Sequence, residues 1–369
     1  MELSCSSRRE MSSMSVPTLR VASIPLRSRR GEAMQNVAHI AQWLALSARE
    51  AIGLVVFPET CLAGYGSLVK LHRDELEALA EPLDGPSLGA VADAVERTGV
   101  GAGVGLIERA PDGRLFNSYV VCMPGGIRHC HRKLHAFEHR RIVSGDRFTV
   151  FDTVWGVRIG VLIGGDAYLV ENVRMTALMG ATLLVVPHRS YATQRGGGRA
   201  MQPVSAEQWQ RRDSAAGGVT GLATRGGTAV GEVGAVDGRA DGNAAAWLRA
   251  WLPARAADNG MFVVLSDGLD AVSEGAGSGA AMIVDPCGRI LAESAGAGGE
   301  ESAIVSAGID PHLIDTSAGR QWLKARRPDL YAPLGRADHQ AASFEPRAVS
   351  ARGSIALSFA QVSRNRLPR

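Results

Sequence analysis

The chain has 369 residues, of which 46% are hydrophobic and 21% are charged, and its formal net charge is +3. This length can fold as one domain of about 250 to 300 residues with extensions, or as two smaller domains. The composition is that of a soluble globular protein, and so small a net charge gives no argument for nucleic-acid or membrane binding.

The cysteine pattern and the N-terminus indicate the compartment. The five cysteines are scattered and form neither a CxxC pair nor a disulfide framework. No apolar run approaches the roughly 18 residues of a membrane span. Residues 1–16 are rich in Ser and Arg, lack the apolar core of a secretory signal, and are expected to be a disordered extension. We therefore expect a cytoplasmic protein.

Taken in order, the first half of the chain alternates predicted strands and helices. The pattern predicts a strand at 18–26, a helix at 32–51, a strand at 53–57, a helix at 87–98, a hairpin at 100–123 and a strand at 126–133. A polar loop follows at 134–147.

The second half repeats this order around an irregular stretch. The predicted elements are strands at 148–153 and 157–163, a helix at 168–179, a strand at 182–186, a helix at 247–259, a strand at 261–266, a hairpin at 281–293, a strand at 302–307 and a helix at 316–327. Helices on alternate connections imply an α/β protein whose sheets are covered by helical layers.

The irregular stretch at 191–245 is dense in Gly, Ala, Ser and Arg, and is predicted to be a flexible insertion. Its GGGRAM segment does not match a phosphate-binding loop, and an RNA- or partner-binding segment is the alternative interpretation. The sequence thus predicts one domain at 17–333, interrupted by the insertion and followed by a C-terminal tail at 334–369.

Charged or special residues follow three predicted strands. Glu59 follows GLVVFP, Lys133 follows GIRHCHR, and the turn Gly164-Gly165-Asp166 follows VRIGVLI. Functional groups at strand ends are usual in α/β enzymes, and a carboxylate and a lysine beside a turn could serve as a base and a cationic stabiliser. A solvated salt bridge in a loop is the alternative.

The chain resembles the nitrilase, or carbon–nitrogen hydrolase, superfamily over about 18–190 and 247–333. The segments that carry the resemblance, in order, are VVFPETCLAGYG (55–66), FNSYVVCMPGG (116–126), HRKLH (131–135), FEHRRIVSGDRF (137–148), VRIGVLIGGD (157–166), GATLLVVP (180–187), ARAADNGMFVV (254–264) and IVDPCGRILAE (283–293). Each segment is weak alone, but eight in order with sensible spacing are a specific signal.

The resemblance implies an α-β-β-α four-layer sandwich and a Glu–Lys–Cys site that needs no cofactor or metal. Glu59 matches the general base, Lys133 the oxyanion stabiliser and Glu138 the second glutamate of this family. The spacing looks most like the amidase and N-carbamoyl amino acid amidohydrolase branches, so the expected ligand is a small amide, carbamoyl or nitrile compound. Asp166 and Tyr65 are candidates for substrate binding. Family members also lead us to expect a homodimer or a higher homo-oligomer.

The sequence departs from the family at the nucleophile. The family pattern is an apolar strand, Cys, an aromatic residue and Asp, whereas this chain has Gly164, Gly165 and Asp166 there. Glycine has no side chain and cannot form a thioester. The resemblance therefore implies an amidase-like protein that is inactive or strongly impaired, and a non-catalytic small-molecule-binding or regulatory homologue is the alternative.

Other groups could replace the missing thiol. Cys61 lies close to Glu59, although a cysteine leaving a strand is more often a small buried hydrophobe. Asp166 could be a nucleophile or a base, but capping of the 168–179 helix is the simpler interpretation. Glu59 could also activate water directly while Lys133 polarises a carbonyl group.

A histidine-rich cluster is a weaker candidate for a metal site. If 126–133 is a strand, two of its histidines share one face, and His135 and His139 align only if their loop is helical. Because the family resemblance already explains the segment, we predict no metal. The members of the cluster are His129, Cys130, His131, His135, Glu138 and His139.

Overall fold

A computed structural model describes residues 19–64, 66, 68, 71–189, 240–269, 279–294 and 303–335. The chain divides into two compact units, Met1–Ala325 and Arg326–Arg369. The predicted extension at 1–16, Tyr65, most of the predicted insertion and the tail beyond 335 lie outside the described residues.

The strands of the first unit form two sheets. In chain order the strands are β1 (Arg20–Ser23), β2 (Leu54–Val56), β3 (Ala80–Glu81), β4 (Gly101–Arg109), β5 (Leu115–Met123), β6 (Ile127–Arg132), β7 (Thr149–Asp152), β8 (Arg158–Val161), β9 (Leu183–His188), β10 (Phe262–Asp267), β11 (Ala281–Val284), β12 (Ile290–Ser294) and β13 (Val305–Gly308). One sheet has the order β13-β1-β2-β4-β5-β6, with β3 beside β4, and the other has the order β12-β11-β10-β9-β8-β7.

Each sheet has parallel strands at its centre. In the first sheet β1, β2 and β4 are parallel, and in the second β8, β9 and β10 are parallel, while the remaining named neighbours are antiparallel except for β3 and β4. The carboxyl ends of parallel strands share one edge, where ligands of open α/β sheets usually bind.

Helices cover both outer faces. The first unit contains α1 (Ala33–Arg49), α2 (Arg73–Ala78), α3 (Pro86–Thr98), α4 (Val170–Leu178), α5 (Ala240–Asn259), α6 (Pro311–Thr316) and α7 (Ala318–Lys324), and α8 (Pro328–Tyr331) lies in the second unit. No helix in the described ranges combines the length and apolar character needed to cross a membrane.

Alternating side chains build three core layers. On β2, Val55 packs against α1 and α3, whereas Leu54 and Val56 face the second sheet. On β9, Leu183 faces the first sheet and Leu184 packs against α4 and α5. Because successive residues of a strand point to opposite faces, each central strand contributes to two cores. The predicted α-β-β-α four-layer sandwich is confirmed.

Several element boundaries differ from the predictions. α5 begins at Ala240, inside the range predicted to be insertion, and the predicted helix at 316–327 is broken at Ser317. Ser317 has extended backbone angles and its hydroxyl accepts a hydrogen bond from Arg320 N, so it caps α7 instead of continuing a helix. The short elements α2 and β3 were not predicted because six and two residues are too few to show a hydrophobic period.

Gly105 on β4 allows the segment after β2 to approach the sheet. A Cβ atom at Gly105 would lie 2.3 Å from Thr60 N and 3.1 Å from Glu59 Cα, so only glycine leaves room for that backbone. Leu62 N also donates to Gly105 O at 2.9 Å. Thr60 itself has a φ of 51°, in the left-handed region that a β-branched residue seldom adopts.

We expect Gly105→Ala to lower the free energy of unfolding by about 1–3 kcal/mol, because the new methyl group displaces a backbone segment in a close-packed interior. Chemical denaturation measures this effect. The matched control is Gly89→Ala in α3, where a Cβ atom meets nothing within 4 Å, and which should raise stability by roughly 0.5–1 kcal/mol. Equal effects at the two positions would contradict the close-approach argument.

Candidate active site

Glu59 and Lys133, predicted from strand ends, meet Glu138, which the family resemblance suggested, in the structure. Lys133, directly after β6, places Nζ 2.7 Å from Glu59 Oε1, and the same Nζ contacts Glu138 Oε1. All three side chains are buried. One ammonium group thus lies between two carboxylates that come from different parts of the chain.

Asn117 on β5 belongs to the same cluster, and it was not predicted from the sequence as a site residue. Its Nδ2 donates to Glu59 Oε1 at 2.6 Å and to Glu138 Oε1 at 3.2 Å. Lys133 N donates to the carbonyl oxygen of Asn117 at 2.8 Å, which fixes the base of the lysine side chain. One feature of the sequence could have identified Asn117: it is a polar amide in a strand that is buried, and a buried amide needs hydrogen-bond partners.

Two acceptor atoms of this cluster remain open. Asn117 Oδ1 and Glu138 Oε2 are buried and have no hydrogen-bond partner among the described residues. Buried polar atoms are nearly always paired, so an open acceptor indicates a place for a donor from outside the chain. An N–H group of a ligand would satisfy either atom.

The shared lysine pushes the pKa values of the two carboxyl groups apart. Burial alone would raise the pKa of Glu59, but the charge and hydrogen bond of Lys133, with help from His188 and Asn117, hold that pKa below its ordinary value. Burial raises the pKa of Glu138, where the charge of Glu59 adds to the rise and Lys133 only partly opposes it. Glu59 is therefore the ionised partner of Lys133, and Glu138 takes up a proton more readily.

Gly164 lies in a sharp turn facing this cluster. The turn Gly164–Tyr168 is a short 3-10 helix after β8, and Gly164 has a φ of +52°. A Cβ atom there would lie 2.8 Å from Glu59 Oε2 and 3.2 Å from Lys133 Nζ. A side chain at this position would therefore project directly onto the Glu59–Lys133 pair.

Asp166 does not cap the following helix, contrary to the simpler prediction. The N-cap of α4 is Leu169, which makes no side-chain cap. The carboxylate of Asp166 accepts hydrogen bonds from Leu134 N at 2.7 Å and from His135 N at 2.8 Å, and it contacts His135 Nδ1 at 2.9 Å. Burial raises its pKa, and these contacts oppose the rise. Asp166 thus fixes the backbone that follows Lys133.

A sequence model of the carbon–nitrogen hydrolase family matches residues 20–221 and 238–318. The chain belongs to the carbon–nitrogen hydrolase family. This confirms the family resemblance found in the sequence.

Among curated relatives of this carbon–nitrogen hydrolase family member, an (R)-stereoselective amidase of a Pseudomonas species is 34% identical over 171 residues, which are 46% of this chain and 59% of that protein. A nitrilase of Pyrococcus abyssi is 29% identical over 46% of this chain and 64% of its own length. The chain thus spans about six-tenths of the length of these relatives. The omega-amidase NIT2 of Xenopus tropicalis is 23% identical over 81% of this chain and 91% of its length.

Solved structures share the fold. A Cys-to-Ser mutant of the nitrilase-superfamily amidase from Nesterenkonia AN1 has a TM-score of 0.59 at 18% identity, covering 87% of this chain and 99% of that one. A Cys-to-Ala mutant of the Nesterenkonia amidase in complex with butyramide has a TM-score of 0.57 at 17% identity, covering 85% of this chain and 95% of that one.

The side chains of the histidine-rich cluster do not come together at one point in this family member. His129 stacks on Phe151, and His131 contacts Thr149 from the same strand face, as the strand assignment predicted. Burial lowers the pKa of His131 to about 4. His139 Nε2 faces the carbonyl oxygen of Leu71 instead of His135. Within the described ranges no three His, Cys, Asp or Glu side chains group as metal ligands would.

Cys61 is a small buried hydrophobic residue, which is the interpretation that the sequence favoured. It is fully buried, and its sulfur accepts from Gly105 N at 3.4 Å. Burial raises the pKa of the thiol to about 12. Since the thiolate is the nucleophile, Cys61 does not replace the missing group.

We expect Lys133→Met to destabilise the protein by about 3–5 kcal/mol at neutral pH, because two buried carboxylates lose their cation. Denaturation curves at several pH values test this. An unpaired buried carboxyl group has a folded-state pKa above its unfolded value, so it costs stability as pH rises, and the deficit of the variant should shrink as pH falls.

The matched control is Lys324→Met, at an exposed lysine at the end of α7. It should change stability by no more than about 0.5 kcal/mol at any pH. A deficit of Lys133→Met that does not vary with pH would show that the carboxylates are not its cause.

Proposed function

We propose that this chain binds small amide, carbamoyl or nitrile compounds at the cluster of Glu59, Lys133 and Glu138, and that thioester-based hydrolysis is lost or strongly impaired. The supporting observation is the direction of the missing side chain. A Cβ atom at Gly164 would lie within 3.2 Å of both Glu59 Oε2 and Lys133 Nζ, which is where a nucleophile flanked by a base and a cation would begin.

The roles follow from position and charge. A nucleophile on Gly164 would find a proton acceptor in Glu59 and a cation for a developing oxyanion in Lys133. Glu138, with its raised pKa and open Oε2, would receive N–H groups of the ligand or supply a proton. Asp166 would serve the site indirectly, by holding the backbone next to Lys133.

Direct activation of water is a poor substitute. Glu59 is held ionised by Lys133 and Asn117, so its pKa is lowered and its basicity is reduced. A covalent intermediate divides hydrolysis into two easier steps. Without a nucleophile, water must attack the substrate in a single, more difficult step. Hydrolysis by this route is therefore slow in our proposal.

Binding of an amide does not need the thiol. The Nesterenkonia amidase was obtained with butyramide as a Cys-to-Ala mutant. The open acceptors Asn117 Oδ1 and Glu138 Oε2 suit the N–H groups of such compounds.

A non-catalytic binding or regulatory homologue is the second candidate. Glu59 Oε2 lies 2.8 Å from the position of a Cβ atom at Gly164, which is closer than a Cβ atom tolerates. The Glu59 carboxylate thus occupies part of the space that a side chain at position 164 would need. This contact favours a site that is adapted to glycine.

The two candidates differ in the outcome of Gly164→Cys. If only the thiol is missing, this variant should hydrolyse butyramide roughly 100-fold faster than the parent, a small part of the about 10⁶-fold that a nucleophile contributes in acyl-transfer enzymes. The gain is limited because Glu59 Oε2 must move. Ammonia release measures the rate, and Gly164→Ala, which adds the same Cβ atom without a nucleophile, is the matched control.

Adding Glu59→Gln to the cysteine variant should abolish the gain. A folded Gly164→Cys protein that binds butyramide in calorimetry and stays inert on amides and nitriles would support the binding homologue. If the parent itself hydrolyses amides and Glu59→Gln stops this, the proposed impairment is wrong.

We also propose that the protein forms a homodimer or a higher homo-oligomer in the cytoplasm. Large apolar side chains are exposed on and beside α4, namely Leu169, Val170, Met175, Leu178 and Met179. Several large apolar side chains exposed close together are typical of a subunit contact.

Replacing Val170 and Met175 by Glu should therefore shift the molar mass measured by light scattering toward that of a monomer, because charges would be buried in the contact. Replacement of Met34, which is exposed on α1, by Glu is the control and should leave the mass unchanged. A parent protein that is monomeric at all concentrations would exclude the assembly.

A further inference from the structure

Three titratable side chains outside the Glu59–Lys133–Glu138 cluster meet at the ends of the parallel strands. Tyr168 is the last residue of the turn after β8, while His188 ends β9 and Asp267 ends β10. His188 and Asp267 are paired in the register of β9 and β10, so their side chains lie next to each other at the same edge.

The three side chains lie in line, with one hydrogen bond and one longer separation between them. The hydroxyl group of Tyr168 is in hydrogen-bond contact with His188 Nε2. On the other side of the imidazole, the buried His188 Nδ1 makes no hydrogen bond to any described residue and lies 3.9 Å from Asp267 Oδ1, which is within ion-pair range but longer than a hydrogen bond. When Tyr168 donates to Nε2, the neutral imidazole carries its proton on Nδ1, toward the carboxylate. The order hydroxyl, imidazole, carboxylate is that of a nucleophile, a base and an orienting group.

The three side chains differ in how deeply they are buried. Asp267 is fully buried and His188 nearly so, whereas Tyr168 is only partly buried. The Tyr168 ring packs against Trp251, with the ring centroids 4.7 Å apart. Of the three residues Tyr168 has the largest exposed fraction, so an incoming compound would approach from the side of this ring, with the histidine and aspartate behind it.

This chain of residues borders the cluster described above. Glu59 N donates to the carbonyl oxygen of His188 at 3.4 Å. Burial raises the pKa of Tyr168, and the charges of Asp267 and Glu59 add to the rise. Tyr168 therefore holds its proton at rest and needs a base in contact before it can attack an electrophile.

We propose that Tyr168, His188 and Asp267 form an acyl-transfer triad, with the Tyr168 hydroxyl group as nucleophile, His188 as general base and Asp267 as the positioning residue. This activity goes beyond the proposed function and does not depend on a thiol at position 164. Its substrates are esters with a good oxygen leaving group.

The steps balance without a further reactant. Tyr168 Oη attacks the acyl carbon while its proton passes to His188 Nε2, and the tetrahedral intermediate then expels the alcohol or phenol, which takes that proton. Water next attacks the tyrosyl ester, again giving a proton to His188 Nε2. The phenolate of Tyr168 leaves and recovers this proton, so the net reaction is ester plus water to acid plus alcohol.

The leaving-group order selects esters over amides. The phenolate of Tyr168 is a poorer leaving group than that of an ordinary tyrosine because its pKa is raised, but an unprotonated amide nitrogen is a far poorer leaving group still. A tetrahedral intermediate formed by Tyr168 on an amide would expel the tyrosine and return to the starting material. An aryl ester has a better leaving group than Tyr168, whose pKa is raised, so acyl transfer to Tyr168 can proceed.

The parent protein provides the decisive measurement. We expect incubation with p-nitrophenyl acetate, followed by acid quench, to give a population carrying one acetyl group, and peptide mapping to place that group on Tyr168. Tyr168→Phe should lose the labelled peptide, and the matched control Tyr331→Phe, at an exposed tyrosine, should keep it. Acetylation confined to Lys133 or to other sites would overturn the proposal.

Two further variants separate the roles. His188→Gln should slow acetylation about 100-fold or more, as loss of a general base does. Asp267→Asn should lower the acetylation rate at saturating ester without changing the half-saturating ester concentration, a split that a merely structural role would not give. Butyramide binding measured in the same preparations tests the proposed function separately, since it should survive Tyr168→Phe.

Discussion

The arrangement of the site depends on one buried ammonium group shared by two carboxylates. Burying a charge is costly unless it is paired and hydrogen-bonded. Lys133 satisfies this condition because Glu59 and Glu138 reach it from different elements, and because Asn117 donates to both carboxylates. Removal of any one member leaves the others uncompensated, so the cluster constrains the relative positions of β2, β5 and the loop after β6.

Backbone geometry completes this constraint. Asp166 holds the two residues that follow Lys133 through its carboxylate, and Gly105 allows the segment after Glu59 to lie against β4. Thr60 and Gly164 both have left-handed backbone angles beside the cluster. Strained backbone persists only where the surroundings over-determine it, and in such positions it is typical of functional sites. At Gly164 this left-handed conformation costs little because glycine has no Cβ atom, but a side chain added there would be strained.

The sequence predicted well what depends on local pattern. Short apolar runs identified most of the central strands. A charged residue after a strand identified Glu59 and Lys133, because strands that run in the same direction end at one edge of a sheet. The sequence did not predict the role of a residue whose hydrogen-bond partners are distant in the chain. Asp166 next to a helix indicated a cap, yet its hydrogen bonds go to the loop at 134–135. Asn117 lies within the segment FNSYVVCMPGG, which carries part of the family resemblance. Its role depends on the pairing of β5 with β6, and the local pattern of polar and apolar residues does not predict that pairing.

His188 and Asp267 show the same limit more sharply. They lie far apart in the sequence, and neither is part of a recognisable motif, but the parallel register of β9 and β10 brings them side by side. The edge that holds the Glu59–Lys133 pair therefore also holds a second set of proton donors and acceptors, joined to the first through Glu59 N and the His188 carbonyl oxygen. In our proposal, glycine at position 164 removes one route for acyl transfer. Tyr168 lies on the same turn in contact with His188, and in the proposed triad this turn still presents a nucleophile.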